Sequence, residues 1–247
     1  MNPSQQLMVS NVSAATPPGQ DLITTIGITS WVCPDGVTSV SVVCVSRGYS
    51  NLGGSLSYKN NITVVPSTSY SVQNPTHSWA PWPRRSYFIG DSTVSAGIAD
   101  KRTGDGGGNG ANPGAAGGYS GNGGLANWGD YSGGNPGAGG GGGGGAYGDD
   151  GVSAAIGASG GVGLLGEGPS GAGGVGGNPG PGGGGGGGSG GVPGQTMNPG
   201  VGSANGGNYG GGYGYTVGPA RLVGIGAVRI IWPGDQRYFP STRTADE

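Results

Sequence analysis

The sequence predicts an all-β protein: a β-sandwich-like domain formed by N-terminal strands plus one C-terminal strand, with an inserted bundle of polyglycine-II helices. Three observations carry this. Residues 23 to 103 are Val-, Ile- and Thr-rich runs broken by Pro and Gly turns, with no capped helical period. A last β-like run, Ile225 to Trp232, stands far from the others and ends at Pro233-Gly234; an isolated strand is unstable, so it must pair with the first hundred residues. Between them lies glycine: of 66 glycines, 8 precede Gly104, 1 follows Gly226 and 57 fall between. The implied organisation is an N-terminal arm over 1–22, a β-domain over 23–103 completed by 225–232, a glycine-rich bundle over 104–224 and a tail over 233–247.

The first strands are read from "DLITTIGITSWVCPDGVTSVSVVCV", with "PDG" as the turn between two runs. Val40, Val42 and Cys44 share one face of the second run and Val43 and Val45 the other, which predicts burial on both sides. "NNITVVPSTSYSV" repeats the pattern around a turn at Pro66 to Ser69, and "SYFIG" and "STVSAGIA" are shorter strands. The tail is polar, but Tyr238 and Phe239 are enough to pin it to a surface. Cys33 and Cys44 are expected to be reduced, buried small hydrophobes. If "PDG" closes a tight hairpin, Cys44 lies too far along to face Cys33; a disulfide needs their strands in different sheets.

Pro and Gly without a strict period ordinarily mean disorder. Collagen is excluded, because "GNGGLANWGDYSGG" breaks the required phase. The tripeptide Asn-Pro-Gly recurs at Asn112, Asn135, Asn178 and Asn198, at spacings of 23, 43 and 20, or one, two and one units. Asn-Pro-Gly is a good turn, so each unit reads as two rods of polyproline-II geometry spanning ~30 Å each. Without Cβ atoms such rods can approach until each N–H donates to a neighbouring C=O. Ordering them costs ~1–2 kcal/mol per residue, so nearly every peptide group must find a partner.

The larger residues of this region collect in clusters. Asn127, Trp128 and Tyr131 lie in "LANWGDYS"; Tyr147, Asp149 and Asp150 lie in "AYGDDG". At loop tips they would supply rigid, amphipathic contact area; for Trp128, Tyr131 and Tyr147, covering the outside of the bundle is an equal alternative. Leu164, Leu165 and Tyr209, Tyr213 and Tyr215 read as packing residues. From Gly104 to Ala220 there are five acids and no Lys or Arg.

Catalysis is not expected. The one histidine, His77, has no second histidine or C-x-x-C beside it, so no metal set and no cofactor are implied. The many G-x-G-x-x-G matches follow no strand and open no helix. A net charge of −2 with 9% charged residues leaves no footprint for nucleic acid. No apolar run approaches 18 residues, and "MNPSQQLMVSN" lacks the basic and apolar parts of a secretory signal, so assembly in a cytoplasm is expected.

The stretches "SWVCPDGVTSVSVVCVS", "LSYKNNITVVPSTSYSV", "SYFIG", "GVGLLGEG" and "GAVRIIWPGDQRYFPSTRTADE" together resemble the glycine-rich tail proteins of tailed bacteriophages, notably of cyanobacterial phages. The tract is similar in design to the distal adhesins of T-even-like phages, in which polyglycine-II rods are sandwiched and their loops bind host receptors. The resemblance implies a virion tail-fibre or tail-tip adhesin, assembled in the host cytoplasm. Its partners would be other phage tail proteins and a host outer-surface receptor, protein or glycan, and fibre symmetry allows a homotrimer. A fibre, baseplate or capsid-decoration part that contacts no host is the alternative. Two departures stand out. "VSRGYSNLGGSL" has fewer glycines than the family's run, and "NPTHSWAPWPRRSYF" replaces a Gly loop. Its Trp79, Trp82, Arg84 and Arg85 are residue types enriched at binding hot spots and are candidates for docking another tail component.

Overall fold

The structure, a computed structural model, describes residues 16–48, 53–75, 85–97, 102–108, 164, 194–195, 205–212 and 222–239. Within them the chain is all-β, without a helix, and forms two five-stranded antiparallel sheets. In chain order the strands are β1 (Gly19–Ile23), β2 (Gly27–Val32), β3 (Ser39–Val45), β4 (Leu56–Thr63) and β5 (Ser69–Asn74). They continue with β6 (Ser86–Phe88), β7 (Val94–Ala96), β8 (Arg102–Thr103), β9 (Gly106–Gly108) and β10 (Ala227–Trp232). One sheet runs β1-β10-β3-β4-β9 and the other β2-β5-β6-β7-β8. The C-terminal strand thus sits inside the first sheet, between β1 and β3, although residues 109–226 separate it in sequence from β9.

Both turns read from the sequence exist, but neither closes a hairpin. The Val37 N–H donates to the Pro34 carbonyl at 3.2 Å and the Thr68 N–H to the Val65 carbonyl at 3.2 Å. Yet β2 and β5 pair with each other in one sheet, while β3 and β4 pair in the other. Each turn is therefore an arch from sheet to sheet, and the two arches lie side by side. The Cys33 N–H bonds Thr68, the Ser67 N–H bonds Cys33, and the Val64 N–H bonds Thr38. The Ser67 hydroxyl also donates to Asp35 at 2.6 Å. The tight-hairpin condition on "PDG" is not met: Cys33 directly follows β2 and Cys44 lies in β3, strands of different sheets, and both are buried, free thiols.

The core between the sheets is built from alternate residues of both. Val40, Val42, Cys44, Ile62, Val228 and Ile230 come from one sheet and Trp31, Val72, Phe88, Val94 and Ala96 from the other. Trp31 anchors it, edge-on to Phe88 at 5.7 Å and within 6.2 Å of Tyr70 and 6.1 Å of Trp232. Its indole N–H is satisfied by Asp21 at 2.8 Å, which lets a polar atom sit at the core's margin without cost.

The first sheet is buried on its other face too, as the Val43 and Val45 pattern predicts. There Val43, Val45, Leu56, Ala227 and Ile231 pack with Leu164 and Phe239. This second layer comes from outside the sheets: Leu164 from the glycine-rich insertion and Phe239 from the tail. Gly19–Leu22, read as the end of an N-terminal arm, instead belong to β1, whose ladder with β10 runs from Gly19↔Trp232 to Ile23↔Val228.

Candidate functional site

The outer face of the β1-β10-β3-β4-β9 sheet is where the insertion and the tail meet the two-sheet body. Along β10, Val228 and Ile230 point to the inter-sheet core, so Ala227, Arg229 and Ile231 take this outer face. Arg229 is 2% exposed. Its Nη1 donates to the Leu164 carbonyl at 3.1 Å, and its Nη2 donates to the Gln20 side-chain carbonyl. A buried guanidinium is tolerated only with its donors engaged. Here one of them fastens the insertion's backbone at the same residue whose side chain fills the apolar layer.

The exit of the insertion is fastened to the body through backbone hydrogen bonds. Residues 205–212 and 222–226 lie against 46–48 and 53–55, the ends of β3 and β4. The Gly48 N–H donates to the Gly224 carbonyl at 3.0 Å, and the Gly224 N–H to Gly211 at 2.7 Å. The Gly210 N–H donates to Ile225 at 3.0 Å while its carbonyl accepts from Gly54 at 2.6 Å. A Cβ on Gly224 would overlap the Gly207 carbonyl oxygen, and one on Gly48 would overlap that of Gly211. Glycine is required here because another strand of backbone occupies the space a side chain would fill.

A β-bulge holds the tail. The register between β3 and β4 shifts between Val40 and Val42, leaving Asn60 and Asn61 opposite Ser41. Asn61 adopts φ 49°, a region asparagine tolerates better than most residues. The bulge re-aims Asn60: its amide donates to the Phe239 carbonyl at 2.7 Å and accepts from the Phe239 N–H at 2.8 Å. Phe239 is buried, beside Tyr58, while Tyr238 stays 45% exposed. Of the two aromatics expected to pin the tail, Phe239 does so. Sequence reasoning missed Asn60, although two adjacent asparagines within a strand-like run are a bulge signal.

Of the docking candidates, Arg85 is described. It immediately precedes β6, is partly exposed, and pairs with Asp91, in the turn between β6 and β7, at 3.2 Å, while its carbonyl accepts from the Gln73 amide at 3.0 Å. Trp79, Trp82 and Arg84 lie outside the described residues, as do Asn127, Trp128, Tyr131, Tyr147, Asp149 and Asp150. Leu164, read as a packing residue, is fully buried, and Tyr209 packs partly against the same layer.

Both thiols are chemically quiet. Burial pushes the Cys44 thiol up strongly, against a smaller opposing effect of a backbone hydrogen bond at Phe88. Burial and then the Asp35 charge raise Cys33. Among the described residues no three His, Cys, Asp or Glu side chains converge, and no helix is long and apolar enough to cross a membrane. No family model, curated protein or solved structure matches the chain.

Proposed function

We propose that this protein is a tailed-phage virion component, a tail-fibre or tail-tip adhesin whose two-sheet body anchors it and whose polyglycine-II insertion displays receptor-reading loops. The observation that carries the reading is the double fastening of the insertion to one face of the body. Leu164 and Arg229 hold an internal point of it, and glycine backbones hold its exit. An insertion secured this way can present its far loops at a fixed position, which is what recognition of a surface needs. The backbone-on-backbone packing at Gly48, Gly54, Gly210 and Gly224 is also the contact that a bundle of polyglycine rods would repeat.

In this reading Asn127, Trp128, Tyr131, Tyr147, Asp149 and Asp150 form the receptor-binding loops, and Trp79, Trp82, Arg84 and Arg85 dock another tail protein. Exchanging Asn127–Tyr131 and Tyr147–Asp150 in the assembled phage tests the first assignment. Host range or adsorption rate should change while particle assembly does not; unaltered adsorption would exclude an adhesin role for these loops. Hydrogen exchange tests the bundle separately. Gly182 to Gly188 should exchange slowly, and rapid exchange throughout that stretch rules rods out.

A further inference from the structure

Strand β2 is the outermost strand of its sheet, and among the described residues none pairs with its second edge. Its sequence, GITSWV, has no charged residue and no proline, and its register with β5 runs without a bulge. These are the devices that ordinarily protect a free edge. The other edges differ: β9 is three glycines, β8 has two residues and opens with Arg102, and β1 carries Asp21.

Hydrogen bonds on either side of the β2–β5 pair fix which groups of β2 face outward. Just beyond β2, the Cys33 N–H donates toward β5, to Thr68 at 2.9 Å; on the far side of β5, Ser71 accepts from Ile89 at 2.8 Å. Alternation then turns the backbone of Gly27, Thr29 and Trp31 toward β5 and that of Ile28, Ser30 and Val32 toward the free edge. The side chains of the same three residues stand on the outer face. Ile28 is 68% and Val32 61% exposed, values that place two large apolar residues in water on one short strand.

We propose that β2 is a self-association edge, on which two copies of this chain pair β2 to β2, antiparallel, about a twofold axis through Ser30. The reason for a second copy rather than another strand is the symmetry of the stretch. With Ser30 opposite Ser30, Ile28 of each copy falls opposite Val32 of the other. Each of these residues then donates its N–H to the opposing copy and accepts with its C=O. All the outward backbone groups of β2 are satisfied in one register, and the exposed apolar residues cover each other as cross-strand pairs. A one-residue slip would leave these groups unmatched and put Ile28 and Val32 on opposite faces from their partners. The absence of ionisable side chains on β2 matters as well, since a twofold axis would set any such charge against its own image. Leu22, half-exposed and lining the cleft between β1 and β2, and Ile26, half-exposed just before β2, extend the apolar strip at this edge. The two sheets so joined form one continuous sheet across the axis, an isologous contact that closes at two copies.

The proposal does not depend on the adhesin reading. It is tested on the full-length chain by sedimentation over a wide concentration range. The wild type should dimerise. Ser30→Lys places two ammonium groups against each other, and Ser30→Pro removes the N–H at the axis while leaving the groups that bond β5. Each should weaken dimerisation by on the order of tenfold or more, with melting temperature and circular dichroism close to wild type. If Ser30→Pro fails to fold, Ser30→Lys alone decides, because Ser30 is exposed. Ser30→Cys should form an intermolecular disulfide under mild oxidation, since opposed residues of a hydrogen-bonded pair sit about 5.5 Å apart, within disulfide reach. A wild-type chain that stays monomeric, that forms trimers, or whose dimer is untouched by Ser30→Lys would overturn the proposal. So would an edge occupied only by a strand of a different protein.

Discussion

Leu164→Ala is the sharpest test of the claim that the insertion is docked on the body. Leu164 is fully buried among Val43, Val45, Leu56, Ala227, Ile231 and Phe239. Removing its side chain forfeits the burial of the deleted methyl and methylene groups and leaves a cavity against the sheet, which together cost about 2–5 kcal/mol for buried leucines. Among the described residues the walls of that cavity come mainly from the sheet and the tail, and partial settling against them places the expectation near about 3 kcal/mol. For a chain of this length that is a fall in melting temperature of roughly 6–12 °C. The substitution leaves the Leu164 carbonyl in place, so the Arg229 hydrogen bond is retained and packing is what changes. Chemical denaturation of Leu164→Ala is compared with that of Leu222→Ala, a half-exposed control that should stay within about 0.5 kcal/mol of wild type. If Leu164→Ala also costs less than about 1 kcal/mol, the insertion is not held at this point, and the anchoring argument fails with it.

Three further outcomes are expected. Gly224→Ala should destabilise by about 2 kcal/mol or more, because its Cβ meets backbone that cannot swing away, whereas Gly90→Ala, with open space around it, should be neutral or stabilise by up to about 1 kcal/mol; equal effects in thermal melts would remove the close-approach argument. Stability should hold from neutral pH to about pH 9 and then fall, since the thiols of Cys33 and Cys44 are raised in the folded state while unfolded thiols ionise near their ordinary value, about 9. The stability tied to those neutral thiols is full below the unfolded value and lost as pH rises toward the folded ones, at up to about 1.4 kcal/mol per pH unit for each; Cys44→Ala should flatten the difference curve, and an unchanged slope would refute the assignment. Asn60→Ala should free the tail without unfolding the sheets, seen as faster amide exchange at Phe239 with the β3 amides unaffected; coupled loss of both would mean the tail is integral to the sheet.

The sequence carried the strands well because their cause is local. β3 shows it most clearly: two apolar faces on seven residues can only mean burial on both sides, and both layers are present. The isolated run ending at Trp232 likewise forced a partner in the first hundred residues, and β10 lies between β1 and β3. What stayed hidden was the assignment of strands to sheets. "PDG" and the Pro66 turn satisfy the same local chemistry whether they close a hairpin or arch between layers, and the choice is made by non-local packing around Trp31. The division of the first run into β1 and β2 was hidden for a related reason: the five residues of β1, with one exposed leucine, gain their separate place from pairing with β10. The fastening points are legible in part. Leu164 stands out as a large residue in glycine, but nothing in sequence links it to Arg229, 65 residues on.

The double burial of the first sheet has a consequence for how this chain must fold. β3 contributes Val43 and Val45 to a face that neither sheet can cover, so the two sheets alone would leave an apolar patch in water. The missing layer is supplied by the insertion and the tail, and the Leu164 carbonyl gives the buried Arg229 guanidinium one of its acceptors. The insertion is also closed at its exit by β10, which cannot enter the sheet until the whole tract has been traversed. Body and insertion therefore depend on each other for stability. A change that loosens the tract should expose Val43 and Val45, and a change in β10 should release the tract. In the proposed adhesin role, this coupling is what would fix the geometry of display without requiring side chains within the glycine itself.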